Sequence, residues 1–154
     1  TKYRHLTAFC KTFILKISLI HFLLNSCSSE KMERNPYLTN VKFNLQINLN
    51  LPSYDLLRFA GGSMRLNQGG VNGILVFNLN GNDYLTWDAS CPNHAIKDCS
   101  KLEIFGVLAE CGCEDYQYSL ATGQLLNSDG KMKNPHPMLF YSVRSSNNQL
   151  FISN

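Results

Sequence analysis

Between residues 41 and 50 the chain alternates without a break. Val41, Phe43, Leu45, Ile47 and Leu49 are apolar, while Lys42, Asn44, Gln46, Asn48 and Asn50 are polar. A period of two over ten residues predicts a β-strand with one packed and one wet face. Pro52 ends it, and Ser53 is placed to cap a short helical turn over 53–59 before Gly61-Gly62. Further strands are expected at 63–66, 74–79 and 84–88, the last two joined by a hairpin at Asn80-Gly81. Residues 101–104 and 107–110 flank Phe105-Gly106 as a second hairpin. Strands at 116–119, 138–144 and 149–153 complete the set, with 145–148 as a polar turn. No helical period longer than two turns follows the first 26 residues, so the expected class is all-β, a small sandwich or barrel. Gly69-Gly70-Val71-Asn72-Gly73 precedes no helix and is read as a turn rather than a phosphate cradle.

The N-terminal stretch has a different pattern. Lys2, Arg4 and Lys11 precede a largely apolar run from Phe13 to Leu24, and then Leu24-Asn25-Ser26-Cys27. This is similar to a bacterial lipoprotein signal, in which a small residue precedes the cysteine that is cleaved and lipidated. The run is about half of the roughly 20 residues that span a bilayer as a helix. The expected organisation is a signal peptide over 1–26, a flexible tether over 27–38 with lipid on Cys27, and one β domain over 39–154. The expected location is a bacterial cell-envelope membrane, reached by export and lipid anchoring. Removing the signal turns a formal charge of +3 into about −1, which recruits no nucleic acid. Cys10, His5 and His21 leave with the signal. The compartment is oxidising, so cysteine pairs persist there as disulfides.

The chemistry concentrates in two short clusters, Cys91-Pro92-Asn93-His94 and Cys111-Gly112-Cys113-Glu114. Each sits just beyond a predicted hairpin strand. Downstream, Glu114-Asp115-Tyr116-Gln117-Tyr118 leads through Thr122 to Gly123. Over residues 72–153 these features resemble a Rieske iron-sulfur domain, in which one loop gives C-x-H and the other C-x-x-H to a 2Fe-2S cluster. The resemblance implies stacked antiparallel sheets with the two cluster-type loops at one tip. It also implies Cys91 and Cys111 as thiolate ligands, and a disulfide between Cys99 and Cys113 tying the loops. Both histidine positions depart from the pattern. The first loop carries one extra residue, which puts Asn93 in the histidine slot and His94 one place later; Glu114 fills the second slot.

Loss of the imidazoles changes the chemistry. Neutral imidazole keeps the outer iron at low charge and couples its reduction to a proton; a glutamate does neither. Cys91, His94, Cys111 and Glu114 form an irregular candidate ligand set. Without iron, the resemblance favours a Cys91–Cys111 disulfide beside Cys99–Cys113. His136, between Pro135 and Pro137, lies where the family's proline-containing loop covers the cluster, and is read as a surface residue in preference to a donor. Cys91, His94, Cys111 and Cys113 match a zinc site by residue type, but lack the C-x2-C knuckle. Cys111-Gly-Cys113 lacks the spacing and the helix of a thiol-disulfide oxidoreductase. No catalytic residue is singled out, so an electron-transfer or binding module is expected rather than a catalyst. The residues favour a cluster-free, disulfide-stapled binding or structural module; the alternatives are a 2Fe-2S electron carrier serving a redox partner and a Cys/His zinc site.

Overall fold

The computed structural model describes residues 34–130 and 132–154. The signal-like segment, Cys27 and most of the tether lie outside the described residues. Asn35–Asn154 packs as one unit. Asn35, counted with the tether above, caps the entry to it: Asn35 Oδ1 accepts the N–H of Tyr37 at 2.8 Å and of Leu38 at 3.1 Å, and the Leu38 side chain is buried.

Among the described residues the regular structure is strand and short 3-10 helix. The strands are β1 (Asn44–Asn48), β2 (Ser63–Leu66), β3 (Ile74–Asn78), β4 (Tyr84–Asp88), β5 (Leu102–Phe105), β6 (Leu108–Cys111), β7 (Gln117–Ser119), β8 (Phe140–Ser146) and β9 (Gln149–Ser153). One curled sheet runs β1-β9-β8-β4-β3-β2 and a second runs β5-β6-β7, with every pairing antiparallel. The domain is therefore all-β, with stacked antiparallel sheets and the two cysteine loops leaving β4 and β6.

The period-two reading of the first strand holds in its burial. Ile47 and Leu49 are buried, Phe43 and Leu45 half-buried, and Asn44 and Gln46 exposed. Its ladder is shorter than the alternation, because β9 offers only Gln149 to Ser153 as partners. The helical turn is a 3-10 segment, Pro52–Arg58, without the expected Ser53 cap. Leu51 is the N-cap residue with no side-chain bond; Pro52 at the first position presets φ and has no N–H to satisfy.

β3 is buried on both faces, and its alternation divides the core. Ile74 and Val76 face a cluster with Ile47, Leu57, Tyr141, Leu150 and Ile152. Leu75 and Phe77 face the other cluster, with Trp87, Leu102, Tyr118, Leu120, Cys91 and Cys111. This second core is the floor beneath the cysteine loops. Polar bonds join the two sheets: Trp87 Nε1 donates to the Leu120 carbonyl just beyond β7 at 2.9 Å, and Arg65 of β2 donates to the Leu102 carbonyl of β5 at 2.7 Å.

Candidate metal centre at the tip

The first loop follows β4 and the second follows β6, so each hangs from a rigid ladder. Backbone bonds close the frame: Cys91 N–H donates to Ser100 O at 2.8 Å, and Asp115 N–H to Cys111 O at 3.0 Å. Behind the first loop a 3-10 turn, Asp98–Ser100, absent from the sequence reading, sets Cys99 beside the second loop. Cys99 and Cys113 form a disulfide with Cα atoms 5.1 Å apart.

Cys91 and Cys111 are buried and remain free thiols. The Cys91–Cys111 disulfide expected for an iron-free domain is therefore not made. The two sulfurs are hydrogen-bonded to each other, and each has further partners. Cys91 Sγ lies 3.4 Å from Tyr118 Oη; Cys111 Sγ lies 3.2 Å from His94 Nε2 and 3.5 Å from Glu114 Oε2. His94 Nε2 is also 2.9 Å from Glu114 Oε2. The donor atoms of Cys91, His94, Cys111 and Glu114 all lie within 4.8 Å of one another. Cys113, the third thiolate of the zinc set considered above, is consumed by the disulfide, and Glu114 stands in its place.

The charge distribution follows from these contacts. The hydrogen bond from Cys111 draws the Cys91 thiol below its usual range against the effect of burial, with help from Tyr118 and the backbone at Asn93. The same Cys91 contact, then burial, pushes Cys111 far upward. The two thiols thus share one readily lost proton. Burial opposes the His94 imidazolium, but the bonds to Cys111 and Ala95 and the charge of Glu114 outweigh it and lift His94 above its ordinary value. Tyr118, fully buried, is raised by desolvation and then by its bond to Cys91.

Asn93 does not join the donors. Its side chain is almost fully buried and its amide is spent on structure: Nδ2 donates to Tyr118 Oη at 2.8 Å and to the His136 carbonyl at 2.9 Å, while Oδ1 accepts the His136 N–H at 2.7 Å. The extra residue in this loop therefore assigns Asn93 to the scaffold and turns His94 toward the thiols. His136 serves through its backbone, and its ring packs edge-on against Tyr37 at 6.4 Å. Tyr118 is a site residue that strand alternation alone did not identify; its place on the inward face of β7, opposite the cysteines, was the available signal.

A 2Fe-2S cluster of the Rieske kind binds its two thiolates to one iron and its other two ligands to the second, with bridging sulfides between. Cys111 Sγ sits instead in direct contact with both non-thiol donors. Two irons and two sulfides do not fit between atoms so placed, so the donor spacing does not match that cluster. A single tetrahedral ion with metal–ligand bonds of 2.0–2.3 Å would place its donors roughly 3.3–3.8 Å apart.

No protein-family model matches the chain, and no curated protein matches it. Among solved structures 15 chains are similar to this one, the following three among them. The complex of reduced oxygenase and oxidized ferredoxin in carbazole 1,9a-dioxygenase matches at TM-score 0.48 and 17% identity, covering 71% of this chain and 92% of that one. The Sphingomonas yanoikuyae B1 ferredoxin matches at 0.43 and 19%, covering 62% and 88%. The ferredoxin of carbazole 1,9a-dioxygenase from Nocardioides aromaticivorans IC177 matches at 0.45 and 13%, covering 73% and 97%.

Proposed function

We propose that this chain is a Rieske-like module of a bacterial cell envelope, tethered through lipid on Cys27, that binds or braces a partner protein without a two-iron cluster. One observation carries the reading: Cys111 Sγ touches His94 and Glu114 directly, at 3.2 and 3.5 Å, across the space a cluster would fill. The Cys99–Cys113 disulfide and the Asn93 amide hold the loops together by other means, so the tip is rigid without iron. The signal-like N-terminus and the Ser28-Ser29-Glu30 tether support export and anchoring. No helix among the described residues is long and apolar enough to cross a membrane. The formal charge of about −1 left after residue 26 gives no purchase on nucleic acid.

The second reading is a single-electron carrier with a 2Fe-2S cluster on Cys91, His94, Cys111 and Glu114, serving a redox enzyme in the envelope. The observation in its favour is that Cys91 and Cys111 are both free and buried at the loop tip.

The deciding experiment is iron and acid-labile sulfide per chain, on protein expressed with working export and cluster assembly. The cluster-free reading expects neither in stoichiometric amount. Two irons with two sulfides per chain would replace it with the electron carrier. Anchoring is tested separately by Cys27→Ala, which should block incorporation of labelled palmitate and release the chain from membranes.

A further inference from the structure

We infer that Cys91, His94, Cys111 and Glu114 form a closed site for one divalent cation of the zinc class, a site that rests on the cluster-free reading above. The geometry argues for it at three levels.

The first is spacing. Cys111 Sγ to His94 Nε2, Cys111 Sγ to Glu114 Oε2, and His94 Nε2 to Glu114 Oε2 measure 3.2, 3.5 and 2.9 Å. These are close to the edges of a tetrahedron around one ion, about 3.3–3.8 Å for zinc bonds. Cys91 Sγ completes the figure within 4.8 Å of the other three.

The second is the orientation of His94. Its Nδ1 lies 2.8 Å from the Ala95 carbonyl, which only accepts, so Nδ1 carries the proton and Nε2 presents a lone pair to the cluster. Nε2 faces Glu114 Oε2 at 2.9 Å and Cys111 Sγ at 3.2 Å, and Cys111 Sγ in turn donates to Glu114 Oε2. The protons that bridge these three atoms are the ones a bound cation would displace, leaving three lone pairs converging on one point.

The third is the donor chemistry and its enclosure. Two thiolates, an imidazole and a carboxylate are borderline donors, softer than magnesium or calcium sites use. Both cysteines are buried, the His94 side chain is 11% exposed and that of Glu114 is 32% exposed. Four protein donors leave no coordination position open, which is the form of a structural site. The ion would cross-link the two loops where Cys99–Cys113 does so covalently.

The test is cobalt titration of the whole chain, purified anaerobically in detergent and stripped of metal. One equivalent of Co2+ should produce the intense visible bands of tetrahedral cobalt with a thiolate-to-cobalt band in the near ultraviolet. One equivalent of Zn2+ should erase them and raise the melting temperature. Cys91→Ser and Cys111→Ser should each remove the thiolate band, and Glu114→Gln should weaken binding by about tenfold or more. His136→Gln should leave uptake unchanged. If a cysteine variant fails to fold, the wild-type spectrum and stoichiometry decide alone. No uptake of cobalt or zinc at one equivalent would overturn the site and leave the cluster-free module standing. Two irons with two sulfides in the freshly isolated chain would overturn both.

Discussion

Asn93 and His136, 43 residues apart, are locked backbone to side chain: Asn93 Oδ1 accepts the His136 N–H at 2.7 Å, and Asn93 Nδ2 returns a bond to the His136 carbonyl at 2.9 Å. The pair pins the proline-flanked loop over the first cysteine loop. It also explains how an asparagine in a ligand slot is used here without metal.

Asn93→Ala removes both bonds and the one to Tyr118 Oη while leaving buried partners unsatisfied. The expected cost is about 1–3 kcal/mol, the penalty for stranding buried donors and acceptors. Denaturant unfolding measures it, and hydrogen exchange at the His136 amide should rise with it. An unchanged His136 exchange rate would show that the loop is held by something else.

Cys99 and Cys113 close a loop of sequence separation 14 between the two cysteine loops. Cys99→Ala with Cys113→Ala should lower stability by about 2–5 kcal/mol, the range for removing a native disulfide from a small domain. Cys91 and Cys111 are already free, so reductant should act through this bridge. Equal melting with and without reductant would contradict that assignment.

Tyr141 donates to Asp88 Oδ2 at 2.6 Å in the interior, and burial followed by that contact raises its pKa. Its ordinary value is about 10. Below that value both states hold the proton and no pH dependence arises. Above it the unfolded chain gives up a proton that the folded chain keeps, so stability falls by about 1.4 kcal/mol per pH unit. Tyr141→Phe should flatten the alkaline limb of stability against pH by that slope. A parallel limb in the variant would assign the alkaline loss to other groups, with Tyr118 the first to examine.

The fold was legible where a physical pattern was uninterrupted. The ten-residue alternation placed β1, and Asn80-Gly81 placed the β3–β4 hairpin, where Asn80 Oδ1 accepts the Asp83 N–H at 2.8 Å. The placement of the two cysteine loops beyond hairpin strands, and the Cys99–Cys113 bridge between them, was legible in the cysteine clusters. Two things were not. Asn93 and His94 are adjacent, and only the path of the loop decides which faces the thiols. A favoured Cys91–Cys111 bridge looked sound because buried thiols that face each other usually close under oxidation. Here the two thiols stay free while hydrogen-bonded to each other, and Tyr118, His94 and Glu114 add further contacts that come from packing rather than from cysteine spacing.

Gly123 offers a test of how the motif holds the floor of the tip. Its φ is +72°, and a Cβ there would lie 2.6 Å from Trp87 Cζ3 and 2.7 Å from Cη2. Trp87 cannot retreat freely: its Nε1 is bonded to Leu120 O, and its ring packs edge-on against Phe140 at 5.5 Å. Gly123→Ala therefore meets two penalties, a left-handed backbone costing about 1–2 kcal/mol and an overpacked core costing about 1–3 kcal/mol. Trp87 is the chain's single tryptophan, so its fluorescence reports the displacement without labelling. The expected result is a lower melting temperature with a red-shifted emission as the indole is pushed from a dry site. Leu85→Ala, in the same hairpin and packed at the margin of the same core, should destabilise by removing volume without that shift. If Gly123→Ala melts lower but its emission is unmoved, the backbone strain alone carries the effect and the contact with Trp87 does not.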